Sequence, residues 1–60
     1  MTAREILKLL RKDGWYVVEQ RGSHIQMEHR EKLGKVSVPN HNGDIAKGTL
    51  YSILSKSGLK

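Results

Sequence analysis

The segment QRGSHIQME, residues 20–28, places a glycine, a serine and a histidine in succession between two stretches of alternating residues. A tight turn between strands needs Gly22 and tolerates Ser23, but it does not need His24. Imidazole can both accept and donate a proton near neutral pH, because its unperturbed pKa is about 6.5. His24 is therefore either an acid–base group or an exposed turn histidine without a role.

The chain has 60 residues and no cysteine, which predicts one small domain spanning residues 1–60. A domain of this size without disulfides has marginal stability. The absence of cysteine, and hence of any disulfide, suits the reducing cytoplasm, which is the expected location. No apolar run reaches the roughly 18 residues of a membrane span, and the N-terminus lacks the features of a signal peptide, so no membrane association is expected.

The charge is strongly basic, with 11 Lys and Arg against 6 Asp and Glu and a net charge of +5. Such a balance on a small body creates a positive field around it. Nucleic acid is the favoured partner and an acidic protein is the next. The alternative is that the positive charge only keeps the domain soluble and binds no partner.

Apolar residues at helical spacing begin near the N-terminus and return near the C-terminus. Thr2 and Glu5 form a capping box, and Gly14 suits the end of this first helix. The turn-rich loop NHNGD precedes the last helix, and Gly58 suits the end of that helix. The apolar residues of the last helix are Ala46, Leu50, Ile53 and Leu54.

Three stretches between the helices are typical of strands: WYVVEQR, HIQMEH and KVSVP. The order helix, strand, strand, strand, helix predicts an α+β fold in which a three-stranded antiparallel sheet carries both helices on one face. Alternation then directs His24, Gln26 and Glu28 to the open face. We take Trp15 as a core residue, together with Ile6, Leu10, Ile25, Met27, Val36, Leu50 and Ile53.

Three motifs occur in order and in register along the chain: GSH opens the second strand, VPNH closes the third, and KGTLYSIL opens the last helix. Together they resemble the HicA family, small toxins of bacterial and archaeal toxin–antitoxin pairs. The resemblance spans nearly the whole chain, from REILKLLRKDGW to SKSGLK. Each motif alone is weak, but three in register are fairly specific.

This resemblance implies a ribonuclease that cuts messenger RNA and thereby inhibits translation and growth, with a fold like a double-stranded-RNA-binding domain. It implies a HicB-like antitoxin as the protein partner. The family's catalytic histidine lies in Gly-Ser-His and corresponds to His24, and the basic residue that often precedes this motif corresponds to Arg21. Tyr51 stands where the family commonly has a basic residue.

Cleavage of RNA without a metal uses the ribose 2′-hydroxyl as the internal nucleophile. His24 suits the proton transfers, and Arg or Lys suits the charge that develops at phosphorus. The predicted substrate-binding residues are therefore Arg21, Gly22, Ser23 and Lys47. Gly22 allows close approach of the backbone, and the hydroxyl of Ser23 orients phosphate or stabilises the turn. We expect no cofactor.

The other two histidines have weaker cases. His41, in PNHNG, is either the complementary acid or a surface residue that helps to cap the last helix, and we favour the surface interpretation. His29, at the end of the second strand, is interpreted as a surface residue. The three histidines have no metal-ligand spacing and no carboxylate pair beside them, so no metal site is predicted.

Two function classes are compatible with these features: a metal-independent endoribonuclease toxin, and a non-catalytic RNA-binding module of the same topology. A double-stranded-RNA-binding domain has a lysine cluster at the start of its last helix, whereas this helix opens with Lys47 alone. It also has a Pro-x-His loop between its first two strands, whereas Pro39-Asn40-His41 follows the third strand here. A basic surface for an acidic partner alone leaves Gly-Ser-His unexplained.

Overall fold

The computed structural model describes residues 1–60, and its elements follow the predicted order. The α+β prediction is confirmed, with two helices and one antiparallel sheet of strand order β1-β2-β3. Neither helix is long and apolar enough to cross a membrane. The elements are α1 (Ala3–Asp13), β1 (Trp15–Arg21), β2 (His24–His29), β3 (Lys35–Pro39) and α2 (Lys47–Lys56).

Helix α1 begins and ends as the sequence predicts. The Thr2 side chain accepts a hydrogen bond from the Glu5 N–H, and the Glu5 carboxylate accepts from the Thr2 N–H at 2.8 Å. These bonds, led by that of the Thr2 N–H, hold the pKa of Glu5 below its usual value. Gly14 ends the helix with a φ of 109°, in the left-handed region that favours glycine.

One cluster of ten buried apolar residues joins both helices to the same face of the sheet. Ile25 faces Val38 and Met27 faces Val36 across the β2–β3 pair, so four core residues come from two strands. Leu50, predicted in the core, is only partly buried at its rim, and Ile45 is buried although it follows a polar loop. The cluster consists of Ala3, Ile6, Leu10, Trp15, Ile25, Met27, Val36, Val38, Ile45 and Ile53.

Strand β1 contains a bulge that the sequence did not predict. Val17 pairs with Met27, whereas the next paired residue, Glu19, faces Gln26, so Val18 is an extra residue without a partner. Partners across a sheet share a face, and one inserted residue reverses the face of every residue that follows it. The bulge therefore brings Arg21 to the face that carries its partner His24.

The surface interpretation of His29 is wrong. Its side chain is only 10% exposed and packs edge-on against Trp15, with ring centroids 5.3 Å apart. Nε2 donates to the Asp13 carbonyl at 2.8 Å, and Nδ1 accepts from the Glu31 N–H at 3.0 Å. The ring is thus a structural link between the end of α1 and the segment that follows β2.

A second link at this end of the molecule is the Lys32 ammonium. It donates to the Asp13 carboxylate at 2.6 Å and to the Ser57 carbonyl at 2.9 Å, so it joins the ends of both helices. The hydrogen bond and charge of Lys32 hold the pKa of the Asp13 carboxyl below its usual value.

This shift predicts a pH dependence of stability. The folded pKa of Asp13 lies below the unfolded value of about 3.9, so its ionised form stabilises the folded chain above that pH, and this contribution is lost as the pH falls through the folded pKa. The stability difference between the parent and Asp13→Asn, measured by urea unfolding, should therefore be larger at about pH 6 than at about pH 3. The control is Glu31→Gln, because Glu31 is exposed and its carboxylate forms no ion pair. A difference for Asp13→Asn that does not shrink at low pH would contradict the role of Lys32.

Candidate functional site

The turn between β1 and β2 consists of Gly22 and Ser23 alone. Gly22 has a φ of 54°, and no other residue of this turn has a positive φ, which is the pattern of a two-residue type II′ turn. A Cβ at Gly22 would have no atom within 4 Å. The turn geometry therefore requires this glycine, and the space above it stays open.

The turn offers two unused hydrogen-bond donors beside His24. Neither the Gly22 N–H nor the Ser23 N–H forms a hydrogen bond within the protein, while the Ser23 carbonyl accepts from the Asn40 N–H. This bond fixes the turn against the loop that follows β3. Two free N–H groups on a fixed backbone suit the binding of a phosphate oxygen.

His24 lies on the open face of the sheet and is exposed, as the alternation of β2 predicts. Its Nδ1 lies 3.5 Å from the hydroxyl of Ser37 on β3, a long contact that a small rotation of either side chain would shorten. A hydrogen bond there would leave Nε2 facing solvent. The imidazole is thus available for proton transfer with a neighbour that orients the ring.

Arg21 is the residue directly opposite His24 in the hairpin. Its Nε donates to the Glu19 carboxylate at 2.9 Å, and its side chain is 81% exposed. The terminal amino groups of the guanidinium form no hydrogen bond in the protein and remain free for an anion. Arg21, Gly22, Ser23 and His24 therefore form one continuous patch.

Neither His41 nor Lys47 forms a hydrogen bond or an ion pair with this patch. The Nδ1 of His41 lies 3.1 Å from the Asn42 carbonyl, and its loop packs beside Thr2 and Arg4. Helix α2 begins at Lys47 after Ala46, without a side-chain cap, so His41 does not cap it. Both residues are exposed and form no bond with His24.

Sequence reasoning missed Ser37 as a neighbour of His24. The two residues are 13 positions apart, and only the register of β2 against β3 brings them together. The alternation in KVSVP did contain a signal, since it sets Ser37 on the face opposite Val36 and Val38. No group of three or more His, Asp or Glu side chains is arranged to hold a metal ion.

Comparisons with known proteins agree with this description. The family described as "HicA toxin of bacterial toxin-antitoxin" matches residues 3–59. Among solved structures, a chain of a toxin–antitoxin complex from Streptococcus pneumoniae is similar, with 32% sequence identity and a TM-score of 0.82. The similarity covers 97% of this chain and 97% of that chain. No match is found among curated proteins.

The two histidines of β2 should differ sharply when each is replaced by alanine. His29→Ala removes the contact with Trp15 and leaves the Glu31 N–H without its acceptor, so it should lower the free energy of unfolding by about 1–3 kcal/mol. His24→Ala should change it by less than about 0.5 kcal/mol, because an exposed side chain contributes little packing. Urea unfolding followed by the fluorescence of Trp15, which is buried, measures both. Equal losses of stability would show that His24 is a structural residue.

Proposed function

The chain belongs to the HicA toxin family of toxin–antitoxin systems, and from this premise we propose that it is a metal-independent endoribonuclease that cuts messenger RNA. Cleavage of messages in the cytoplasm would inhibit translation and hence growth. A cognate antitoxin silences the activity. His24 is the catalytic residue in this proposal.

One observation carries the proposal: an exposed imidazole lies beside free N–H donors and an exposed guanidinium on an open sheet face. His29 is nearly buried in the protein, and His41 forms a contact with the Asn42 carbonyl rather than with the patch. The surroundings of His24 thus combine a proton acceptor with groups that stabilise negative charge.

In the proposed reaction, His24 takes the proton of the ribose 2′-hydroxyl. The 2′ oxygen attacks the adjacent 3′ phosphorus, and the bond from phosphorus to the 5′ oxygen of the next nucleotide breaks. Water at this exposed site donates the proton that the departing 5′ oxygen needs, and the hydroxide that remains takes the proton back from His24. The upstream fragment then ends in a 2′,3′-cyclic phosphate and the downstream fragment begins with a 5′-hydroxyl.

The remaining predicted residues bind phosphate. The free amino groups of Arg21 and the N–H groups of Gly22 and Ser23 stabilise the charge on the nonbridging oxygens. Lys47 forms no ion pair in the protein, and it binds a more distant phosphate of the same strand. His41 is given no role in this reaction, because it forms no hydrogen bond with His24.

A HicB-like antitoxin is the proposed protein partner. The similar solved chain comes from a toxin–antitoxin complex, and the net charge of +5 favours an acidic surface on the partner. An antitoxin that covers the patch at the hairpin turn would exclude RNA from His24.

Replacement of His24 provides the direct test of catalysis. His24→Ala should abolish growth inhibition and lower the cleavage rate of RNA about a hundredfold to ten-thousandfold, because it removes the acid–base group. His41→Ala is the matched control and should cut at nearly the parental rate. A parent that binds RNA without cutting it would identify the chain as a non-catalytic RNA-binding module. Cleavage by His24→Ala at the parental rate would overturn the catalytic assignment.

The ends of the products test the mechanism. Cleavage should persist in excess EDTA, and RNA with a 2′-deoxy sugar at the cut position should resist, because the 2′-hydroxyl is the nucleophile. Polynucleotide kinase should label the downstream fragment without prior phosphatase treatment, since that fragment carries a 5′-hydroxyl. A fragment that accepts label only after phosphatase treatment, or activity lost in EDTA, would instead indicate metal-dependent hydrolysis.

A further inference from the structure

A groove of about 280 Å³ runs between β3 and α2, beside the proposed active site. Strand β3 is an edge of the sheet, and α2 packs against it. The floor of the groove is apolar and its walls carry hydroxyl groups and one ammonium. Val36 and Ile53 line its floor, and its walls are lined by four polar residues: Ser37, Thr49, Ser52 and Lys56.

The backbone of Ser37 also faces this groove. The Asn40 N–H donates to the Ser23 carbonyl, so Ser23 and Asn40 form a hydrogen-bonded pair at the end of the β2–β3 ladder. In an antiparallel pair, bonded and non-bonded residues alternate, so Ser37 is a non-bonded residue whose N–H points away from β2. The outer edge of β3 therefore presents an additional donor to whatever occupies the groove.

The groove walls carry donors and no carboxylate. Thr49 and Ser52 lie three residues apart and Lys56 follows one turn later, so their side chains share one face of α2. Lys56 takes part in no ion pair. An ammonium, hydroxyl groups and a backbone N–H together favour an anionic ligand with several acceptor oxygens.

The basic side chains on the open sheet face are paired with carboxylates, whereas those of α2 are not. On the open sheet face, Arg21 pairs with Glu19 at 2.9 Å and Lys35 pairs with Glu28 at 3.7 Å. No acidic residue follows Asp44, while three lysines occur between that position and the C-terminus. Lys47 and Lys56 on α2 therefore add positive charge that no acidic side chain of the protein neutralises.

We propose that this groove is a subsite for the RNA backbone next to the scissile phosphate, in which Lys56, Thr49 and Ser52 bind a phosphate. This inference rests on the proposed function, because it takes the strand that reacts at His24 as the ligand. Ser37 connects the two sites, since its hydroxyl lies 3.5 Å from the His24 Nδ1 and its backbone faces the groove. A strand that leaves His24 across β3 therefore passes directly into the groove.

Binding measured without cleavage tests the subsite. In the His24→Ala background, the probe is a short fluorescein-labelled single-stranded RNA of mixed sequence, followed by anisotropy over a range of salt concentrations. Lys56→Ala should weaken binding about three- to tenfold and reduce the slope of log K against log salt by about 0.7, the value for one phosphate contact on a single strand. Thr49→Val with Ser52→Ala should weaken binding without changing the slope, and Lys56→Arg should retain both.

The matched control is Lys8→Ala, which removes the same charge from α1, away from the groove. If Lys8→Ala weakens binding as much as Lys56→Ala, the attraction is diffuse and the subsite does not exist. If Lys56→Ala weakens binding of the antitoxin but not of RNA, the edge of β3 is a protein-docking site and the proposal is wrong.

The cleavage assay separates this proposal from the previous one. A parent that cuts RNA through His24, together with a Lys56→Ala variant indistinguishable from Lys8→Ala, would overturn the subsite alone. A parent that does not cut RNA, but whose RNA binding depends on Lys56, would support the subsite and overturn the catalytic proposal.

Discussion

The alternation of side chains along β2 is the constraint on which the rest of this structure depends. Ile25 and Met27 are buried against Val38 and Val36, so the register of β2 with β3 is fixed by the core. A slip of one residue would move both apolar side chains to solvent and turn His24 toward the interior, where an imidazole would lack partners. The same burial that stabilises this small domain therefore determines that His24 faces outward, and in turn that Ser37 is its neighbour. Burial of Ile25 and Met27 thus determines both the register of the strands and the position of the candidate site.

Six of the eleven basic residues fall into three groups that differ in their partners. Lys32 has a structural role, because it joins Asp13 to the Ser57 carbonyl and so holds the ends of both helices together. Arg21 and Lys35 are paired with carboxylates on exposed parts of the sheet, where such pairs are weak and exchange readily with a competing anion. Lys47 and Lys56 have no acidic partner at all, and Lys60 lies 5.0 Å from the ring centroid of Tyr51. The Lys60 ammonium thus places a positive charge beside Tyr51, the position at which the resemblance implies a basic residue. Net charge alone conceals this division, which only the pairing of individual side chains reveals.

Much of the fold could be predicted from local signals. The capping box of Thr2 and Glu5, the glycine that ends α1 and the alternation of HIQMEH each act within a few residues, so each is visible in the sequence. His29 was misinterpreted because its partners, Trp15 and Asp13, lie 14 and 16 positions away, and a histidine in a polar stretch gives no sign of them. Ile45 was missed because it stands alone after a turn-rich loop, where no periodicity marks it as buried. For the candidate site, the exposure of His24 followed from the strand pattern, whereas Arg21 was named from the resemblance and reaches the same face only because of the bulge. The contact with Ser37 and the groove beside α2 depend on how separate elements meet, and no local pattern encodes that.

The bulge at Val18 has a consequence for solubility as well as for the direction of Arg21. Strand β1 is an edge of the sheet, and Tyr16, Val17 and Val18 are all substantially exposed there. A regular apolar edge of this kind invites another strand to add to it, and sheets that grow in this way lead to aggregation. An extra residue interrupts the even spacing of donors and acceptors along that edge and increases its local twist, so an incoming strand cannot pair along its full length. The irregularity that brings Arg21 opposite His24 thus also discourages self-association when the protein is free of any partner.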